Sequence, residues 1–78
     1  MNEYYISLCR GLTGYYVLVH AESEEIVRQH AAEYFGKIWC SIYTSAYFRE
    51  IIRKRYPTAS RVVNPTKPII LNDDYRYE

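Results

Sequence analysis

Two cysteines and two histidines are the side chains of this sequence best suited to nucleophilic or metal chemistry. Along the 78-residue chain, Cys9, His20, His30 and Cys40 lie 11, 10 and 10 positions apart. Structural zinc sites take their ligands in pairs about two to five residues apart, so this near-even spacing does not predict a metal site. A cysteine–histidine dyad would depend on the fold, and no nucleophile motif indicates one. We therefore expect no enzymatic activity, no metal and no cofactor.

The cellular location is indicated by features that the sequence lacks. It contains no run approaching the roughly 18 apolar residues of a membrane-spanning helix, and its first residues lack the basic and apolar regions of a signal peptide. We expect a cytoplasmic protein that does not bind membranes. In that compartment Cys9 and Cys40 should be reduced, and we expect both to be buried on strands.

Tyrosine is the residue type that most favours binding over catalysis. Ten of the 78 residues are tyrosine, which is more than the thin core of one small domain requires. Tyrosine and arginine are enriched at the energetic centres of protein interfaces. In a strand, adjacent side chains point to opposite faces, so each tyrosine pair near positions 4 and 15 should direct one ring away from the helices. We take Tyr5 and Tyr16 as the outward rings.

A second group suited to binding is the basic segment at positions 49–67, which holds six basic residues and one acidic residue, Glu50. Basic side chains in the last turn of a helix also simply stabilise that helix through its dipole. The predicted partner-binding residues combine this segment with the outward hairpin rings: Tyr5, Tyr16, Arg49, Arg53, Lys54, Arg55, Tyr56 and Arg61.

The first half of the sequence predicts a hairpin followed by a helix. Residues 4–9 and 15–20 are rich in aromatic and β-branched side chains and are joined by a short glycine-containing turn, as in a β-hairpin. Ser23 is a typical helix N-cap, and Gly36 is a typical residue just beyond a helix end. Between them, apolar residues at positions 26–35 recur at helical spacing.

The second half predicts another strand and another helix. Residues 38–43 carry apolar side chains on both faces, as in a strand that is covered on both sides. The following helix ends near Arg55, because Pro57 cannot continue it. Residues 69–71 are compatible with a short edge strand, since a proline directly before such a strand is tolerated.

These elements predict an α+β domain in the order β-β-α-β-α-(β). We expect a small sheet of three to four mostly antiparallel strands with two helices, both packed on one face of the sheet. The single domain spans residues 1–71, and residues 72–78 form a mobile polar tail.

Part of the chain resembles a group of phage proteins. The run from Tyr16 to Glu25 and the run from Ala31 to Tyr43 contain a strand, a Glu-Ser-Glu-Glu helix start, a Phe-Gly-x-x-Trp helix end and a closing tyrosine. In these features, over about a third of the chain, the sequence resembles small uncharacterised proteins of bacteriophages and prophages. That family has no catalytic residues to carry over.

The resemblance implies a biological setting. Small phage proteins without enzymatic motifs often inhibit restriction, CRISPR or other host defence systems, and many of them are acidic mimics of DNA. The net charge of +1 departs from that acidic pattern. A contact between tyrosines and arginines and an acidic host surface fits this chain better.

The sequence therefore predicts a non-enzymatic, anti-CRISPR-like or otherwise anti-defence binding protein, which acts on a host protein or protein complex in the host cytoplasm. Two alternatives stay open. The first is a small nucleic-acid-binding module in which the basic second helix contacts phosphates. The second is a sponge for a nucleotide-like ligand held between aromatic rings and arginines. A homodimer is compatible with each of them.

Overall fold

A β-hairpin forms the centre of the sheet. The computed structural model describes residues 2–57, 61–64 and 69–70. Strand β1 (Asn2–Leu8) pairs antiparallel with strand β2 (Tyr15–Ala21). The turn between them includes Gly11 at φ 96°, a region of backbone space that glycine enters without steric cost. The predicted hairpin is confirmed.

Three further strands complete a mixed sheet. Strand β3 (Trp39–Thr44) pairs antiparallel with β1, whereas β4 (Arg61–Val62) and β5 (Ile69–Ile70) both run parallel to β2. The strand order is β3-β1-β2-β4, and β5 lies on the same edge of β2 as β4, because β1 occupies the other edge. The predicted small α+β fold is confirmed, but the sheet is mixed rather than wholly antiparallel.

The gap between β4 and β5 is bridged by an asparagine side chain. Asn64 Oδ1 accepts a hydrogen bond from the Leu18 N–H, and Asn64 Nδ2 donates to the Leu18 carbonyl, both at 2.7 Å. The side-chain amide thus takes the place of a peptide group in a sheet ladder, which leaves this part of the β2 edge satisfied.

The first helix lies between β2 and β3. Helix α1 (Glu24–His30) continues into a π-helical turn (Ala31–Phe35) and a 3₁₀ turn (Gly36–Ile38). Its start is the predicted one, since the Ser23 hydroxyl accepts a hydrogen bond from the Ile26 N–H.

The second helix, α2, runs over residues 45–55 without interruption. It comprises an α-helical start (Ser45–Tyr47), a π-helical turn (Phe48–Ile52) and an α-helical end (Arg53–Arg55). The Thr44 hydroxyl caps it by accepting a hydrogen bond from the Tyr47 N–H at 3.2 Å.

The helices lie on opposite faces of the sheet, so the expectation that both pack on one face is wrong. Val27 and Ala31 of α1 pack on one side with aliphatic residues of the hairpin, such as Val19. Phe48 and Ile52 of α2 pack on the other side. The physical reason is that the hairpin carries large apolar side chains on both faces, and each face needs its own cover.

Within the described ranges, no helix is long and apolar enough to cross a membrane. The predicted mobile tail, residues 72–78, and the domain boundary at residue 71 lie outside the described residues.

Candidate functional site

The two hairpin rings predicted to face outward are buried. Tyr5 is 6% exposed and Tyr16 is 7% exposed. The ring of Phe48 in α2 stacks on Tyr5 with centroids 3.9 Å apart and meets the ring of Tyr16 edge-on at 4.8 Å. The prediction failed because it left one sheet face uncovered, whereas α2 covers that face. Tyr5 and Tyr16 are therefore core residues and offer no contact surface.

The exposed rings lie on the helices and near their ends instead. Tyr47 and Tyr56 are each 48% exposed. Tyr47 stacks on Tyr43 of β3, with centroids 5.7 Å apart and planes inclined by 12°. One turn further along α2, Ile51 is also exposed. Tyr47 and Ile51 thus add apolar area to the outer side of α2.

The structure brings four of the predicted basic residues together on α2, where Arg49, Arg53, Lys54 and Arg55 are all exposed. We call these four residues, with Tyr47, Ile51 and Tyr56, the α2 surface.

Two of these cations are already paired. Lys54 forms an ion pair with Glu50 at 3.4 Å, and Arg49 contacts Glu3 at 3.1 Å. Across the part of the chain that the structure describes, Arg53 and Arg55 form no ion pair. Their positive charge is available to another molecule.

Arg61 does not belong to this surface. It lies in β4, where its guanidinium sits 6.0 Å from the centroid of the Tyr15 ring. Tyr15 packs against the α1 side of the sheet, whereas Val62, the next residue of β4, packs against the α2 side. The structure thus separates Arg61 from the four cations with which the sequence grouped it.

A polar network joins the first turns of α2 to the hairpin. Glu3 Oε1 accepts hydrogen bonds from Ser45 Oγ at 3.0 Å and from Arg49 at 3.1 Å, and Glu3 Oε2 lies 3.2 Å from His20 Nε2. The hydrogen bond from Ser45 lowers the pKa of the Glu3 carboxyl, and His20 and Arg49 add to this effect against the opposing effect of partial burial.

This network contains a serine, a histidine and a glutamate, but its geometry is not that of a hydrolytic triad. Ser45 and His20 both bind the same carboxylate. In a triad the imidazole instead takes the proton of the serine and is itself held by the acid. The arrangement holds Arg49 and the start of α2 against the sheet.

The cysteines are near each other at one end of β3. Cys9 is half-buried and Cys40 is exposed, and both are free thiols. A hydrogen bond with Cys9 raises the pKa of the Cys40 thiol, so the thiolate of Cys40 is disfavoured. The expectation that both cysteines are buried on strands is wrong: Cys40 lies on the outer strand of the sheet and is exposed, and Cys9 follows the end of β1 and is half-buried. Within residues 2–57, 61–64 and 69–70, no cluster of three or more histidine, cysteine or acidic residues could hold a metal ion.

A shallow groove of about 300 Å³ lies along the outer side of β3. Its lining combines the side chains of Glu24, Ile42, Tyr43, Thr44 and Tyr47. The charged side chain of this lining is a carboxylate, which would repel a phosphate.

Comparisons with protein-family models, with curated proteins and with solved structures find no match to this chain. The resemblance to phage proteins stays a prediction, and the functional assignment depends on the geometry of the chain itself.

Sequence reasoning found the cations of the α2 surface but missed the Glu3 network. Glu3, His20 and Ser45 are far apart in sequence and share no motif. Their meeting depends on the register of β1 against β2 and on the docking of α2, and no local signal encodes either of these.

Proposed function

We propose that this protein is a non-enzymatic binding protein whose α2 surface contacts an acidic surface of another protein. One observation carries the proposal: Arg53 and Arg55 are exposed, close in sequence on one helix, and without an ion pair in the described part of the chain. An arginine that is not satisfied within its own molecule can form charge-assisted, bidentate hydrogen bonds with a carboxylate of a partner.

The aromatic residues of the same surface support this proposal. Tyr47 is held by its stack on Tyr43, so little rotamer freedom is lost when a partner covers it. Rigid tyrosines and arginines supply most of the energy in many interfaces, and here both types lie on one helix. The buried side chains of Phe48 and Ile52 and the Glu3 network hold α2 on the sheet, which makes the surface preorganised.

The class of partner comes from the resemblance to phage proteins. On that basis we propose a host protein or protein complex of a defence system as the target, in the cytoplasm of the host cell. The basic character of α2 directs this proposal to an acidic face of such a complex rather than to a site where the protein would mimic DNA.

Charge reversal at Arg53 and Arg55 tests the proposal. The variant R53E/R55E should lose its partner in affinity capture from nuclease-treated bacterial extract, because carboxylates would then face an acidic surface. The control R10E/R28E makes the same change in net charge away from the α2 surface, and should retain the partner. Equal capture by wild type and R53E/R55E would overturn the assignment of this surface.

A nucleic-acid partner is the second candidate, because the same arginines could bind phosphates and the exposed rings could stack on bases. It predicts binding to labelled DNA or RNA at about 50 mM salt that weakens steeply as salt rises. No binding at that salt concentration, together with capture that survives nuclease, favours the protein partner. The ligand sponge gains no support from the groove beside β3, whose described lining presents Glu24 and no arginine.

A further inference from the structure

The two edges of the sheet differ in how far their backbone groups are covered by other strands. The outer edge of β2 is covered by β4, by the side-chain amide of Asn64 and by β5. Strand β3 ends the sheet on the other side, and among the described residues it pairs with β1 alone. Its outer backbone groups therefore have no strand partner in the described part of the molecule.

The composition of β3 does not protect it. Natural proteins discourage pairing at a sheet edge with lysines, prolines or inward-pointing charges. The strand Trp39–Thr44 contains no charged residue and no proline, and it is rich in residues that favour strands. An edge of this kind is a template for another strand.

The backbone of β3 shows which groups are available. The Ser41 N–H donates to the Ser7 hydroxyl at 3.0 Å, and the Ser41 carbonyl accepts from it at 3.2 Å, so both groups of Ser41 face β1. Backbone groups alternate in direction along a strand. The N–H and carbonyl of the next residue, Ile42, must then face outward.

The groove beside β3 surrounds this outward edge. Its lining includes Glu24 at the start of α1 and Tyr47 of α2, and these two helices lie on opposite faces of the sheet. A groove lined from both faces must pass over the edge between them. A strand added to β3 would therefore find room for its side chains on both sides.

Charged residues at the two ends of β3 indicate that the added strand comes from a second copy of this chain. Lys37, which is exposed, precedes the first residue of the strand, and Glu24 lines the groove beside Thr44, the last residue. An antiparallel two-fold axis brings the first end of one strand to the last end of the other. A second copy of this chain then sets Lys37 of each molecule towards Glu24 of the other, next to the ion pair that Glu24 forms with Arg28 of its own helix.

We propose that two copies of this protein pair antiparallel through β3, centred on Ile42. Each Ile42 N–H donates to the Ile42 carbonyl of the other copy, and Cys40 lies opposite Thr44 of that copy. The two sheets become one continuous sheet, with both α1 helices on one face and both α2 helices on the other. Arg53 and Arg55 take no part in this pairing, so the dimer is independent of the proposed function and presents the α2 surface twice.

Sedimentation velocity over a concentration series tests the pairing. Wild type should shift from monomer to dimer as concentration rises. A lysine on the edge, in the variant S41K, should raise the dimer dissociation constant by about tenfold or more, because edge lysines disfavour strand pairing. Ser41 uses its backbone to bond Ser7, so this variant keeps the link to β1. The control Q29K adds the same charge on the exposed side of α1 and should dimerise as wild type does.

Charge exchange tests the two-fold arrangement. K37E and E24K should each weaken the dimer, whereas the double variant K37E/E24K should recover most of the loss, because the opposite charges meet again. Thermal melting of each variant at low concentration separates weakened pairing from weakened folding.

Hydrogen exchange provides a readout at one atom. The Ile42 amide should exchange rapidly in the monomer and become protected as concentration rises. A wild-type protein that stays monomeric up to millimolar concentration overturns the proposal. So does a dimer that S41K leaves unchanged, or one in which K37E/E24K is weaker than both single variants.

Discussion

The two faces of the sheet are built from different side chains. The face under α1 is packed mainly with aliphatic residues, among them Ile6, Val19 and Val27. The face under α2 is packed mainly with rings, where Phe48 lies against Tyr5 and Tyr16. Aromatic rings fill more volume per residue than aliphatic side chains do, so fewer residues are needed to hold α2 in place.

The solvent-facing sides of the two helices differ in how their arginines are paired. On α1, Arg28 is paired with Glu24 one turn away, so part of its charge is satisfied within the helix. On α2, Arg53 and Arg55 lack such partners among the described residues. The α2 surface, which we propose as the binding surface, is thus supported by the smaller, aromatic core. The stability of that core and the availability of the surface should therefore be linked.

The largest expected effect is at the centre of the aromatic core. Phe48→Ala should destabilise the fold by about 3–5 kcal/mol, because it removes a fully buried ring and leaves a cavity between Tyr5 and Tyr16. Val27→Ala, at the equally buried centre of the α1 side, should cost about 2 kcal/mol. Urea unfolding monitored by circular dichroism measures both changes.

Because a domain of this size is held by only about 3–5 kcal/mol, Phe48→Ala could remove the native state altogether. Phe48→Leu, which keeps most of the apolar volume, should leave a measurable transition between those of wild type and the alanine variant. If Val27→Ala lowers the free energy of unfolding as much as Phe48→Ala does, the packing of α2 on the sheet does not depend on the single ring of Phe48.

The elements that the sequence predicts correctly are those with local signals. The hairpin, α1 with its Ser23 cap and the strand before α2 follow from period, capping and turn signals that are local. The face on which each helix packs is not local. Apolar residues at Tyr5, Tyr16 and Leu18 indicate a buried face as well as they indicate an exposed binding face, and only the position of α2 decides between the two.

Strand β5 lies within the predicted edge strand at residues 69–71, whereas β4 was harder to predict for a related reason. Residues 61–62 form β4 by pairing with Tyr15 and Tyr16, more than 40 residues earlier in the chain. A two-residue strand has no period to detect, and the amide of Asn64 that continues the ladder has no sequence signal of its own. Contacts of this kind are specified by the completed sheet rather than by the segment itself.

A smaller effect is expected at the network that ties α2 to the sheet. Folding lowers the pKa of Glu3 below its ordinary value of 4.5, so the ionised carboxylate favours the folded state. This stabilisation is present above pH 4.5 and is lost as pH falls through the lowered pKa. Glu3→Gln should cost about 1 kcal/mol at pH 7, since hydrogen bonds to a partly exposed charge are screened by water.

A pH series of urea unfolding measures the Glu3 effect. The difference in unfolding free energy between wild type and Glu3→Gln should shrink as the pH falls below 4.5. Glu33→Gln, an exposed change on the α1 side, is the matched control and should follow wild type closely. A difference that stays constant from pH 7 to pH 3 would show that the charge of Glu3 does not hold α2 in place.

The smallest effect compares the caps of the two helices. The Thr44 hydroxyl accepts from the Tyr47 N–H at 3.2 Å, whereas the Ser23 hydroxyl accepts from the Ile26 N–H at 3.5 Å. The shorter bond predicts a loss of about 1 kcal/mol for Thr44→Ala and about 0.5 kcal/mol for Ser23→Ala. Thermal unfolding at one concentration compares the two.

The cap at Thr44 should also affect the α2 surface, because the N–H that the Thr44 hydroxyl holds belongs to Tyr47. Fraying of this turn would release the ring of Tyr47 from its stack on Tyr43. We therefore expect Thr44→Ala to broaden the Tyr47 ring signals in NMR spectra at temperatures where most of the protein is still folded, while Ser23→Ala leaves them sharp. Equal sharpness in both variants would mean that the stack on Tyr43, and not the cap, sets the position of Tyr47, and the preorganisation of the α2 surface would then depend on β3.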